Sequence, residues 1–261
     1  MKRLSMVFLL VLVMLCLAGI NKTRASTLNL SIVSSGDING ATFSTFDENK
    51  AGRGVFPTFL ATQNQATFGD DSTNLGYNTD YRPLQFDEVN AAPHTHSLLF
   101  SDLGVYTDPD GDTFYSFALD ADQRATPGDY HYLNLDEFQI WQTDDPSLTG
   151  YDLNTYSFPS GASLVYDLDV GPDGDSQVII DYLVSSGGSG WSDMIVDIPT
   201  ALFSGSYSNV VLFAQFSNDN DGPQEWSYLA NGEPIPEPAT MILVGLGLVG
   251  LSGFGRKKFK K

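Results

Sequence analysis

Short runs of alternating apolar and polar residues recur along most of this chain, and clusters of Gly, Asp, Asn, Pro and Ser separate them. Alternation with a period of two marks a half-buried strand, because successive side chains point to opposite faces of a sheet. Such runs lie at 28–33, 41–46, 98–107, 113–119, 135–141, 164–168, 178–184, 194–198 and 210–216. The clearest is 135–141, where Leu135, Phe138 and Ile140 stand against Asp136 and Gln139. Residues 47–93 carry Gly52, Gly54, Pro57, Gly69, Gly76 and Pro83 and read as loops with short edge strands. Roughly ten short strands with no helical period in the body predict an all-β fold, a jelly-roll-like β-sandwich, with a closed barrel as runner-up. No fixed-period repeat is visible, which disfavours a solenoid or propeller.

Both ends break this pattern. At the start, Lys2 and Arg3 precede an apolar core at 6–18, and Thr23 and Ala25 put small residues at the −3 and −1 positions of a cleavage site. Residues 1–25 are therefore expected to be a signal peptide with an N-terminal helix. At the far end stand Pro236, Glu237 and Pro238, then the uncharged run 239–255, then Arg256, Lys257, Lys258, Lys260 and Lys261 around Phe259. The two prolines fix φ and remove two backbone donors, so Glu237 is expected in an extended, exposed stretch. As a helix the 17-residue run spans about 25 Å, against a hydrocarbon core of about 30 Å. A transmembrane helix at 239–255 is expected, with its basic end cytoplasmic. The exported ectodomain is then 26–234, and the sorting segment 235–261.

This Pro-Glu-Pro segment, greasy run and basic terminus resemble the PEP-CTERM sorting signal of exported surface proteins. The resemblance implies recognition and cleavage by an exosortase, a membrane transpeptidase, with a transient stay in the inner membrane and then a place at the cell surface or outside. Such signals often accompany extracellular polysaccharide. The same tail is also catalogued as a C-terminal domain of ice-binding proteins. The body offers scattered threonines rather than the regular array that ice binding favours. Stretches between 133 and 228, among them 134–140, 164–169, 190–194 and Glu225-Trp226, resemble a recurrent ectodomain of PEP-CTERM surface proteins. That resemblance carries over no catalytic residues.

Charge narrows the partners. Between Ser26 and Ile235 there are 31 acids against 4 bases, a formal charge near −27. Such a body repels nucleic acid and anionic surfaces; it suits divalent cations or, as the default reading, simply solubility. The single cysteine, Cys16, lies in the leader, so the mature body is expected to form no disulfide.

Three groups of residues are candidates for chemistry. Asp108, Asp110 and Asp112 alternate around Gly111, and Asp167, Asp169, Asp173 and Asp175 surround Gly171 and Gly174. Asp219 and Asp221 precede Gly222. Calcium wants six to eight oxygens, which Asp-rich turns supply, although Asp and Gly are also plain turn formers. Plain turns are the expected reading, and calcium at the first two clusters is the one cofactor the sequence offers as an alternative. His94 and His96 are expected on one face of a strand, a spacing zinc uses with a distant third ligand, but hydrogen-bonded histidines are the expected reading. Among Trp141, Trp191 and Trp226, Trp141 ends an alternating strand and is expected in the core. Trp191 follows a Ser/Gly run and is the candidate exposed ring for a sugar ligand. No G-x-S-x-G or H-E-x-x-H occurs, and the expectation is a non-enzymatic structural or adhesive protein, with carbohydrate binding to the cell's exopolysaccharide as the alternative and a secreted hydrolase third.

Overall fold

A computed structural model describes residues 26–45, 57–63, 72–91, 93–124, 131–169, 175–184 and 192–231. The strands are β1 (Thr27–Asn29), β2 (Ser35–Ile38), β3 (Ala41–Thr45), β4 (Thr58–Thr62) and β5 (Ser72–Tyr77). Next come β6 (Leu98–Leu99), β7 (Val105–Thr107), β8 (Thr113–Asp120), β9 (Tyr132–Thr143) and β10 (Ala162–Asp167). The last are β11 (Gln177–Asp181), β12 (Met194–Pro199), β13 (Asn209–Asp219) and β14 (Gln224–Tyr228). Among the described residues, helix is confined to short 3-10 turns such as Phe100–Asp102 and Thr200–Leu202. The expected all-β class is therefore observed.

The strands form two seven-stranded sheets. The first runs β1-β11-β9-β13-β5, with β10 also on β9 and β6 also on β13. The second runs β2-β3-β12-β8-β14-β4, with β7 also on β8. Pairing is antiparallel except between β1 and β11. One core joins the sheets. Phe43 of β3 meets Phe138 of β9 edge to face at 6.0 Å, and Phe138 meets Trp226 of β14 at 5.1 Å. Trp226 is fully buried, and burying a large ring contributes more than any single surface contact here.

A second, smaller cluster lies on the other face of the first sheet. The 144–161 connection folds over that face and buries Tyr151 and Phe158 against Tyr77, Trp141 and Phe213. Tyr151 stacks on Phe213 with centroids 4.0 Å apart and planes 16° apart. Trp141 is core as expected, but in this satellite cluster.

Several expected elements differ. The run at 28–33 ends as strand at Asn29, because the Asn29 Oδ1 accepts from the Ser31 N–H at 2.9 Å and the Ser31 hydroxyl at 2.6 Å and turns the chain. The 98–107 stretch is broken by the 3-10 turn at Phe100–Asp102. Within 47–93, β4 and β5 do sit at sheet edges, as anticipated. The signal segment, Asp173, Trp191, Pro236, Glu237, Pro238 and the 239–255 run lie outside the described residues. Among the described residues no helix is long and apolar enough to cross a membrane.

Candidate functional site

The site starts from a break in the alternation of β9. Leu133, Leu135, Phe138 and Ile140 all enter the main core, so the apolar spacing jumps from two to three between Leu135 and Phe138. The pairing to β13 shows why: Glu137 faces Gln215 and Leu135 faces Phe216, leaving Asp136 as an extra residue. That is a β-bulge, which re-aims side chains. Asp136 and Glu137 thereby both line one cleft. A second irregularity between Leu164 and Tyr166 sends Tyr166 into the core and sets Asp167 opposite Gln139. Asp169, Asp175, Gln215 and the 154–156 tip of the covering connection complete a cleft of about 600 Å³.

The hydrogen bonds explain its shape. Gln139 is its keystone. The Gln139 Oε1 accepts from Trp141 Nε1 at 2.9 Å and from the Tyr151 hydroxyl at 2.8 Å. Gln139 Nε2 donates to the Tyr156 carbonyl at 3.1 Å. The satellite core is thus tied to the cleft wall through one amide. Tyr156 lines the cleft, has φ 47° and is 41% exposed. Asp167 Oδ1 accepts the Asp169 N–H at 2.8 Å, Gln177 Nε2 donates to Asp136 Oδ1 at 2.5 Å, and the Ser176 N–H donates to Asp169 Oδ1.

Electrostatically, the cleft holds carboxyl groups against their preference for water. Burial first, then the Asp167 and Asp169 charges, pushes the Glu137 pKa well above the usual carboxylate range. Burial also raises Asp167 and Asp169. A hydrogen bond to Asp167 adds to the upward push on Glu137, while the same contact pulls Asp167 back down. Glu137 is 6% exposed, and its Oε1 has no hydrogen-bond partner.

The expected calcium ligands separate into different situations. Asp167, Asp169 and Asp175 do come together in this cleft, joined by Asp136 and Glu137. Asp108 spends its Oδ1 on its own turn, accepting from the N–H groups of Asp110 at 3.0 Å and Asp112 at 2.8 Å. Asp110 and Asp112 are exposed. Among the described residues no three His, Cys, Asp or Glu side chains converge closely enough to hold one metal ion. Asp219 is not an open-loop ligand. It is buried, and Asn74 Nδ2 at 2.7 Å, Gln224 Nε2 at 3.0 Å and Gln123 Nε2 at 3.3 Å donate to its carboxylate.

The histidines also differ from expectation. Neither His94 nor His96 lies in a strand: the His94 N–H closes a turn onto the Ala91 carbonyl at 2.7 Å, and the His96 N–H donates to the Phe59 carbonyl at 3.1 Å. Each has a local partner. His94 faces Glu225 at 3.4 Å, His96 Nδ1 meets the Ser97 carbonyl at 2.7 Å, and His131 Nδ1 meets Asp181 at 2.7 Å. Sequence reasoning passed over Asp136, Glu137, Gln139, Gln215 and Tyr156 as site residues. The signal for the first two was present, in the three-residue step from Leu135 to Phe138.

The described body closes just before its tail. The Asn231 N–H donates to the Asp102 carbonyl at 2.6 Å, and Leu103 bridges Ala230. No curated protein and no solved structure matches this chain. Residues 234–258 match the family model of the PEP-CTERM protein-sorting motif. From three residues past that last hydrogen bond, then, the chain carries the sorting signal of exported proteins that an exosortase processes.

Proposed function

We propose that this is an exosortase-sorted surface or extracellular protein whose body is a non-enzymatic β-sandwich of the jelly-roll kind, working as a binding or structural module. The sorting motif at 234–258 carries the first half of this reading. Export through the inner membrane, loss of the tail and retention at the surface follow from what such a signal does. The two sheets sharing one core support the sandwich. The body's charge supports extracellular solubility and disfavours polyanionic partners. Carbohydrate binding is the second reading, and the polar cleft with the exposed Tyr156 ring favours it.

Mass spectrometry of protein recovered from the cell surface or medium tests the sorting. The expected product ends near the Pro236-Glu237-Pro238 segment, with the apolar run absent. Intact peptides covering 235–243 in most of the mature protein would overturn the reading. Sustained turnover of any glycan by the purified protein would overturn the non-enzymatic half.

A further inference from the structure

We propose that the acidic wall of Asp136, Asp169 and Asp175 seats this chain's own mature N-terminus: once the leader is removed after Ala25, the Ser26 α-ammonium docks there and locks β1 onto the edge of the first sheet. The inference rests on reading 1–25 as a cleaved leader and goes beyond the body's role as a binding or structural module.

The direction of β1 is the first observation. It runs parallel to β11, with Thr27 opposite Gln177 and Asn29 opposite Ile179. An antiparallel strand would carry Ser26 toward Asp181, whereas the parallel one carries it to the start of β11. There the Gln177 N–H donates to the Ser26 carbonyl at 2.9 Å, and the Ser26 nitrogen donates to the Ser176 hydroxyl at 3.3 Å. Ser176 is buried, and its own N–H donates to Asp169 Oδ1. Two hydrogen bonds through one residue therefore link the Ser26 nitrogen to a carboxylate.

Charge is the second. Asp169 is partly buried and feels the like charges of Asp167, Asp175 and Asp136. Gln177, on the strand that β1 joins, reaches Asp136 Oδ1 with its amide at 2.5 Å. These acids have neutral donors and gain from a positive charge. Arg82 is engaged elsewhere, since its guanidinium donates to the carbonyls of Thr79, Tyr81 and Thr95. Removing the leader turns the neutral Ser26 amide, with one donor, into an ammonium with a full charge and three donors. A free α-amine has a pKa of about 7.7–8.0, so it is charged in neutral and mildly acid medium. It is formed beside carboxyl groups that are partly out of water, where attraction is stronger and screening weaker than in bulk.

The shortness of β1 is the third. It has three residues, and the first residues of a domain stay ordered only where something ties them down. Leu28 packs against the main core and Leu30 is buried in it, so release of β1 would uncover both. The Leu30 N–H holds the far end of the strand, on the Ile179 carbonyl at 2.9 Å. The ammonium holds the near end. Because that anchor exists only in the mature chain, removing the leader also completes the edge of the sheet.

The test uses the chain exported by a host without an exosortase and extracted in detergent, so that the leader is the only segment removed. Mass spectrometry should find an N-terminal peptide beginning at Ser26. Cyanate in mild acid then carbamoylates the α-amine ahead of the lysines, whose pKa is far higher, and abolishes its charge. Carbamoylation should lower the melting temperature by about 2–4 °C at about 0.01 M sodium chloride. The loss should be less than half as large at about 1 M, where charges are screened within about 3 Å. Amide exchange at Gln177 and Leu30 should speed up tenfold or more, while that of Phe213 in β13 stays unchanged. Asp169→Asn keeps an oxygen for the Ser176 N–H but removes the charge, and should shrink the carbamoylation effect to less than half. Asp136→Asn should shrink it too, and serves alone if Asp169→Asn does not fold. Asp110→Asn, in an exposed turn, should leave it whole. Equal melting and exchange in free and carbamoylated chains overturn the proposal. So does a carbamoylation effect undiminished in the Asp169 and Asp136 variants, which would assign the loss to the added group rather than to the charge. A mature chain that begins elsewhere overturns the leader reading and the proposal together, whereas one that begins at Ser26 and shows no effect overturns the proposal alone.

Discussion

Single carboxyl groups in this protein work against the solvent they would prefer, and Asp193 is the clearest. It is 4% exposed, and its Oδ2 accepts the Ala121 N–H at 2.7 Å. Burial, reinforced by the Asp120, Asp122 and Asp181 charges, pushes its pKa from 3.8 up to about 8. Between those values the folded chain holds a proton that the unfolded chain has released. Stability therefore falls as pH rises through that window, by at most about 1.4 kcal/mol per pH unit for one such group. Glu88, Glu137, Asp167, Asp169 and Asp219 are shifted upward too, all led by burial, so they bend the curve in the same direction. The protein should melt highest in mild acid and lose melting temperature toward pH 8. Asp193→Asn keeps an oxygen for the Ala121 N–H and cannot ionise. Its melting temperature should vary less between mild acid and pH 8, and at pH 8 it should equal or exceed wild type. A wild-type pH slope retained in the variant would show that Asp193 does not titrate in this window.

At the scale of elements, the seam between the 100–107 stretch and residues 229–231 closes the described body. The Gly104 N–H donates to the Leu229 carbonyl at 2.6 Å. A Cβ at Gly104 would lie 2.5 Å from the Ala230 carbonyl oxygen, a backbone atom that cannot swing aside. Gly104→Ala should cost about 1–3 kcal/mol as strain in a packed seam. It should also speed limited proteolysis between β14 and the sorting motif, and unchanged melting and proteolysis together would refute the seam's role. Which elements were legible in sequence follows from how they are buried. β3, β8 and β12 match runs read by alternation or apolar content. β14 escaped notice because its residues are buried almost throughout, with only Glu225 part-exposed, so no two-sided pattern remains. β4 falls in the stretch read as loops and short edge strands, where its bounds were not legible. The chain after β5 covers that edge, with the Val89 N–H on the Ala61 carbonyl at 2.8 Å and the His96 N–H on the Phe59 carbonyl at 3.1 Å. The sorting motif was legible because its parts are contiguous. The cleft was not, because Glu137, Tyr156 and Asp167 come from two strands and a connection, and only pairing register brings them together.

Over the whole molecule the dominant fact is charge, and it bears directly on whether an ion belongs to the fold. The stretch from Ser26 to Ile235 carries 31 acids and 4 bases, so folding compresses like charges into one body. Self-repulsion of this kind destabilises the compact state, and salt relieves it, because the Debye length shortens from about 30 Å at 0.01 M to about 8 Å at 0.15 M. Sodium chloride should therefore raise the melting temperature over that range, most steeply at pH 8, where more of the buried carboxyl groups are ionised. Calcium is the discriminating ion. The Asp108 turn has its own backbone donors, and among the described residues no three acids converge closely enough to hold one ion. Without a built site, calcium stabilises no more than magnesium at the same concentration, both acting by screening and loose condensation on an acidic surface. A built site would behave differently, since an ion that binds only the folded state adds stability by mass action that grows with its concentration beyond its Kd. A calcium-specific rise in melting temperature, saturating at low concentration and reversed by chelator, would establish such a site. Lost in Glu137→Met, it would place that ion in the cleft; lost in Asp108→Asn, it would place it at the turn.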